Sequence, residues 1–357
     1  MVLADLGADV IRVDRTEAAT GRTGLDSRFD LLNRGKRSIA VDLKHHSGVE
    51  IVLRLVEAGD ALIEGFRPGV AEKLGLGPEV CLGVNPGLVY GRMTGWGQTG
   101  PLASTAGHDI DYIALSGALA AIGPPDQPQV PLNLVGDFGG GGMMLAVGVV
   151  SALHAVAGGS GGQVVDAAMV DGSALLMTSH HGYLAEGWWT ARRTANLLDG
   201  AAPFYTTYRT SDDRHMAVGA LEPQFYAELL SVLGIDPGDL PQQDDREGWP
   251  EIRSALAAVF ATRTRDDWVM AFSGKDACVA PVLDMTEASG HPHAVSRGGF
   301  VELAGVTQPA PAPRFSATPT TVDRPPPHPG EHTDSVLETL GYSQEDVGML
   351  RASGAVA

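Results

Sequence analysis

Cysteine is scarce: Cys81 and Cys278 are the two in 357 residues. Two thiols cannot build a disulfide framework and are too few for a zinc cluster, which points to a reduced, cytoplasmic setting. Positive charge is short as well, with 25 Lys+Arg against 43 Asp+Glu and a formal net charge of −18. That balance argues against nucleic acid as a partner, although a local basic site can still hold a phosphorylated ligand. No unbroken apolar run reaches the ~18 residues of a membrane span, so no membrane partner is expected. The opening Met-Val-Leu-Ala-Asp-Leu-Gly lacks the basic start and long apolar stretch of a secretory signal. What is present is globular. Hydrophobic residues make up 44% and charged ones 19%, in a chain long enough for one large or two moderate domains.

The first 93 residues alternate strand and helix signals. Val10–Val13, Arg37–Val41, Ala61–Ile63 and Leu88–Tyr90 read as short strands, and Ser47-Gly48-Val49-Glu50 reads as a capping box opening a helix to about Glu57. Strands separated by helices of this length imply crossovers and a mainly parallel sheet, hence an α/β fold. A loop over Gly95–Gly107, a helix over 110–122 and a second loop over 124–131 follow. Next come an apolar helix over Phe138–Val156, entered through four glycines, and a strand over Gln163–Ala167. The pattern weakens around Trp188–Asp199, which sets a boundary between a large domain, 1–190, and a smaller α+β domain, 200–305. In the latter, Phe204–Tyr208 and His215–Val218 read as a hairpin, Gln224–Leu233 and Trp249–Phe260 as helices, and Thr264–Asp267 as another cap. Residues 306–357 form a Pro-rich linker followed by two short capped helices.

Three familiar patterns fail on context. Gly95-Trp96-Gly97-Gln98-Thr99-Gly100 fits the dinucleotide pattern, but Pro101 and the polar stretch beyond it open no helix to hold a pyrophosphate. Gly158-Gly159-Ser160-Gly161-Gly162 fits the nucleophile elbow, yet the order is helix then strand, the reverse of what an elbow needs. His328-Pro329-Gly330-Glu331-His332 fits a zinc-protease pattern that works only on a helix, and the prolines around it forbid one. The pairs His45-His46 and His180-His181 lack ligand partners at metal spacing and read as solvent-facing or core-lining histidines.

Two other segments carry chemistry. In Gly107-His108-Asp109-Ile110 a histidine ends a loop and begins an apolar helix, beside backbone N–H groups and a positive dipole end. In Gly136-Asp137-Phe138-Gly139-Gly140-Gly141-Gly142 an acid precedes four glycines. Asp is a favoured helix cap, but glycines cost about 1 kcal/mol each relative to Ala inside a helix, so capping alone explains the run poorly. Close approach of a ligand to the backbone explains it better.

With those residues in view, the chain resembles the family III CoA-transferases. The resemblance rests on five ordered blocks: Leu6–Val13, Asn33–Ser38, Phe66-Arg67-Pro68-Gly69, Gly161–Asp166 and Gly330-Glu331-His332-Thr333. Gly107–Tyr112, Gly136–Gly141 and Leu221-Glu222-Pro223-Gln224-Phe225 look like the branch of that family that epimerises 2-methylacyl-CoA thioesters. The transferase branch shares the aspartate before a glycine run but typically lacks the histidine. The resemblance implies a Rossmann-like large domain built from both chain ends, a smaller domain, and an interlocked homodimer. Family members begin with a further strand and a Gly/Pro-rich loop ahead of the helix that here starts at Met1.

The implied reaction is racemisation of a 2-methyl-branched acyl-CoA by two-base proton transfer through an enolate. One base removes the α-proton and an acid on the opposite face returns one. His108 and Asp137 would serve the two epimers, with backbone N–H groups at the Gly-rich helix start meeting the enolate oxygen and Glu222 orienting His108 by a hydrogen bond. The CoA portion would meet Arg15, Val41, Asp42, Leu43, Lys44, Gly65, Phe66, Arg67, Lys73, Gly107, Asp109, Ile110, Asp111 and Tyr112. Arg67 stands out on its own, since it lies just past a strand end, where ligands of parallel sheets gather. No cofactor is implied, because CoA belongs to the substrate. Two other readings stay open. One is a CoA-transferase with Asp137 as nucleophile; the other is an inactive, truncated thioester-binding protein.

Overall fold

The computed structural model describes residues 1–20 and 27–357, which divide into two compact units. The first comprises Met1–Ala106, Asp137–Gly172 and Ala288–Ala357; the second comprises Gly107–Gly136 and Ser173–Glu287. This division differs from the continuous segments 1–190, 200–305 and 306–357. Residues 107–136 and 173–190 belong with the second unit, and 288–305 with the first. Long-range packing, which local composition does not carry, is the reason. Arg193 donates to the carbonyl oxygens of Ala120, Pro124 and Pro125. Buried Arg34 pairs with Asp5 at 2.6 Å and donates to Gln308 Oε1 at 2.9 Å, drawing the chain's return segment back to its start.

In the first unit the β-branched runs become parallel strands. β1 (Val10–Asp14) pairs with β2 (Lys36–Ala40), and β3 (Ala61–Glu64), β4 (Val89–Thr94) and β5 (Gln163–Ala168) form a second parallel sheet in that order. Helix His46–Ala58 crosses from β2 to β3 and packs Ile51 and Val52 with Ile39, Val41, Val336 and Leu337. Each such buried side chain contributes about 1.5–3 kcal/mol. The start of this helix differs from the expected capping box: His45 Nδ1 accepts from the Ser47 N–H at 3.2 Å, so His45 caps it. Gly48 is required in its first turn, where a β-carbon would sit 2.1 Å from the Asp42 carbonyl oxygen.

The expected helix over 110–122 is two short ones, Asp109–Leu115 and Ala118–Ala121, parted at Gly117 with φ +87°. The apolar helix expected from Phe138 begins earlier. A π-helical segment, Leu134–Met143, runs into the α-helix Met144–Ala157, whose Leu145, Val149 and Ala152 pack on β4 and β5 through Val89 and Ala167. The glycine run therefore lies inside a helix. Backbones pack closely there, because a β-carbon on Gly172 would sit 1.8 Å from the Gly140 carbonyl oxygen. Taken together, Leu134–Ala157 is long and apolar enough by length and composition to cross a membrane. That revises the sequence-based exclusion, which required an unbroken apolar run and was stopped by Asp137 and His154.

The second unit packs an antiparallel sheet, β6 (Tyr205–Arg209), β7 (His215–Gly219) and β8 (Val279–Pro281), against helices Pro223–Leu233, Trp249–Phe260 and Arg265–Phe272. Phe260 stacks on Tyr208 with centroids 5.0 Å apart, and Trp268 Nε1 donates to the Phe260 carbonyl at 2.9 Å. In the first unit's last segment, β9 (Phe300–Leu303) and β10 (Val306–Pro309) form a hairpin where the small domain was expected to end. Helices Thr333–Thr339 and Gln344–Ala352 follow the Pro-rich stretch.

Candidate active site

The cationic candidates of the first unit lie at the carboxyl ends of its parallel strands. Arg15 follows β1, Val41–Lys44 follow β2, Gly65–Arg67 follow β3, and Lys73 ends the short helix Val70–Lys73. Arg15, Lys44, Arg67 and Lys73 all hold their charges in solvent. This is where open parallel sheets receive ligands. The other residues of the Val41–Lys44 set are spent on the turn itself. Val41 is core, with its N–H given to the Asp14 carbonyl at 2.8 Å. Asp42 accepts from the Lys44 N–H at 2.9 Å, and Leu43 packs against the helix His46–Ala58 core.

Beneath the Gly65–Lys73 loop lies a charged cluster that sequence reasoning missed. Arg92, on β4, donates from Nε to Glu64 at 2.9 Å and from Nη1 to Glu72 at 2.9 Å. Glu64 also accepts from the Phe66 N–H at 2.6 Å. Arg92 and Glu64 are buried, whereas the Glu72 side chain is 44% exposed. Hydrogen bonding to Arg92 holds the Glu72 carboxyl below its usual range. The run Leu88–Tyr90 marks this strand in the sequence only as far as Tyr90, and nothing local marks Arg92 as buried.

In the second unit, His108 takes the N-cap position of helix Asp109–Leu115 in extended conformation, and the Asp111 carboxylate accepts from its N–H at 2.9 Å. Its ring is exposed, as is Ile110. Several neighbours expected to meet CoA are engaged elsewhere. The Tyr112 ring is buried and its hydroxyl donates to the Gly107 carbonyl. Asp109 is 7% exposed, with its carboxylate against Gly136. Glu222 sits at the N-cap of helix Pro223–Leu233, where its carbonyl accepts from Phe225 and Tyr226 at 3.1 and 3.0 Å. Its side chain is exposed, and among the described residues no hydrogen bond joins it to His108.

Asp137, in the first unit, is half-buried within the first turn of the π-helical segment. π-Turns inside longer helices are frequent at functional sites. The following glycine N–H groups are consequently inside a helix, not at its open first turn, which removes the oxyanion donors expected there.

The patterns set aside on sequence occupy ordinary connections. Gly95–Gly100 is a turn with φ +89° at Gly97 and +94° at Gly100, and Gly158–Gly162 joins helix Met144–Ala157 to β5. His332 precedes helix Thr333–Thr339, its Nδ1 accepting from the Ser38 N–H at 3.2 Å. Among the described residues no three His, Cys, Asp or Glu side chains are grouped to hold a metal.

The chain carries basic residues past its parallel strands, an aspartate before a glycine run and a histidine at a helix cap. It belongs to CoA-transferase family III, whose sequence model matches residues 1–333. It is 46% identical to the alpha-methylacyl-CoA racemase of Mus musculus over 359 aligned residues, covering 100% of this chain and 92% of the relative. It is also 46% identical to the racemase of that name from Homo sapiens, covering 99% and 91%. Among solved structures, a CaiB/BaiF family protein from Brucella suis matches with a TM-score of 0.81 at 29% identity, over 95% of this chain and 93% of that one.

Proposed function

We propose that this protein is an isomerase that interconverts (2R)- and (2S)-2-methylacyl-CoA thioesters. The observation that carries the reading is the 46% identity to two alpha-methylacyl-CoA racemases across essentially the whole chain. A family III transferase would use Asp137 as nucleophile and has no need of His108; the relatives just described do not favour it.

The α-carbon next to a thioester carbonyl is acidic because the carbonyl accepts the electron pair as an enolate. One side chain takes the proton, and a second delivers a proton to the opposite face, with the thioester bond intact throughout. His108 acts as base on one epimer and Asp137 on the other, with the roles exchanged for the reverse direction. The exposed cations Arg15, Lys44, Arg67 and Lys73 meet the CoA phosphates, which suits a nucleotide substrate in a protein whose net charge is −18. A proton shift needs no redox or group-carrying cofactor. The enzyme works in the reduced cytoplasm that two lone cysteines suit, as an interlocked homodimer; the exposed Met143, Val147 and Val150 on the helical stretch Leu134–Ala157, whose Leu145 and Val149 pack with Val89 and Ala167, support pairing with a second copy.

The test is to incubate one pure epimer of a 2-methylacyl-CoA with the protein in deuterated water, following it by proton NMR and chiral analysis. Loss of the α-proton signal together with mixing of epimers is expected. An unchanged spectrum would remove the racemase reading, and CoA capture by an added free acid would replace it with transfer.

A further inference from the structure

We propose that Arg92 is the positioning residue of the loop that meets the CoA phosphates, clamping Gly65–Lys73 at both ends. The inference deepens the functional reading above and rests on its assignment of Arg67 and Lys73 to those phosphates. Arg92 is 7% exposed and lies on β4, beside β3, from which the loop departs. At the loop's start, Glu64 uses one oxygen to accept from Arg92 and the other to accept from the Phe66 N–H, so the guanidinium fixes the turn that leads into Arg67. At the loop's end, two further Arg92 nitrogens meet both oxygens of Glu72, at 2.9 and 3.4 Å, in the residue before Lys73. One planar guanidinium thus spans both ends through a forked geometry that an ammonium cannot reproduce.

Arg92 itself is too buried to touch substrate, and its charge is already met by two carboxylates. Its effect on the reaction runs through where the flexible cations sit before substrate arrives. Preorganised cations lose less freedom on binding, so loosening the clamp weakens capture of the nucleotide portion without altering proton transfer at the α-carbon.

Removing the whole side chain would strand the buried Glu64 charge and unfold the region, so two milder variants are used. Glu72→Ala releases only the far end, and Arg92→Lys keeps a charge but loses the fork. Calorimetric titration with free CoA, and kinetics with both a 2-methylacyl-CoA and the matching 2-methylacyl-pantetheine thioester, which lacks the phosphates, read the outcome. Both variants are expected to weaken free CoA binding and raise KM for the CoA substrate by about tenfold, the scale of one charge-assisted contact, with kcat changed little. With the pantetheine thioester they should match the unmodified protein. Equal losses with both substrates would reduce Arg92 to a general structural role and overturn the proposal, as would unchanged CoA affinity. If the unmodified protein binds CoA while the variants do likewise, the clamp fails alone; if it binds no CoA, the functional reading falls and the clamp with it.

Discussion

The Asp109 carboxylate lies against the α-carbon of Gly136 so closely that a β-carbon there would sit 2.4 Å from Oδ1. Asp109 follows His108 and Gly136 precedes Asp137, so this contact joins the neighbours of the two proposed bases. Because Asp109 is buried, its carboxylate has no room to swing aside. Gly136→Ala should therefore destabilise the protein by about 1–3 kcal/mol, as overpacking does. It should also cut kcat by about 10²-fold, the scale of an ångström-sized misplacement. Asp109→Ala in the same chain makes room for the new methyl group. Thermal melting and α-proton exchange across the double-mutant cycle check this: the double variant should recover part of what Gly136→Ala loses. Strictly additive losses would mean that the two residues do not act on each other.

Exchange and inversion separate the roles of the two bases. With His108→Ala or Asp137→Ala, overall racemisation should fall by about 10²–10⁴-fold, the usual worth of a positioned acid or base. Each variant keeps the base for one epimer, so in deuterated water each should still wash out the α-proton of that epimer while failing to invert it. The retained epimer should be opposite for the two variants. NMR with each pure epimer reads this directly, and washout of the same epimer in both variants would contradict a division of labour between two faces.

Most strands were legible because their residues leave little choice. Val10–Val13 and Ala61–Ile63 are β-branched or apolar runs between turn residues, and they become β1 and β3 within a residue or so. The cap at Thr264 was legible for the same local reason, since a side chain and its own helix settle the matter. What was hidden depends on distant partners. Arg92 meets Glu64 and Glu72 from a strand that sequence ended too early, and Arg193 ties down carbonyls in a loop far back along the chain. The π-helical start at Leu134 escaped because glycines and apolar residues give the same periodic signal whether a helix begins at Phe138 or a turn sooner. Of the site, the residue types at 108, 137 and 67 were readable. The engagement of Asp109 and Tyr112 in packing and turn bonds was not.

Acid should loosen the second unit through Glu287. Hydrogen bonding to Arg265 is the main reason its carboxyl is held far below the usual range, with the backbone N–H of Asp284 and Arg214 adding to it. The group is depressed in the folded chain, so its stabilisation is fully present above the unfolded carboxyl value, about 4.3. It is lost as pH falls from there toward the folded value. Melting temperature should therefore decline below about pH 4.5, and Glu287→Gln should flatten part of that decline while lowering stability at neutral pH. An acid profile identical to the parent would show that this carboxylate is not the group responsible.

The helical stretch Leu134–Ala157 is apolar on two faces, and among the described residues only one of them has a partner. Leu145, Val149 and Ala152, spaced four and three apart, pack on β4 and β5. Met143, Val147 and Val150 repeat that spacing on another face, with exposures of 43%, 60% and 49%. A helix that is apolar all round is a buried helix, so the second face needs cover. A second copy of the chain supplies it in the homodimer proposed above. Light scattering at micromolar concentration should then give twice the chain mass, and Val147→Glu with Val150→Glu should shift it toward the single-chain mass while far-ultraviolet dichroism stays unchanged. A monomeric parent chain that instead partitions onto lipid vesicles would assign this face to a membrane surface and end the dimer argument.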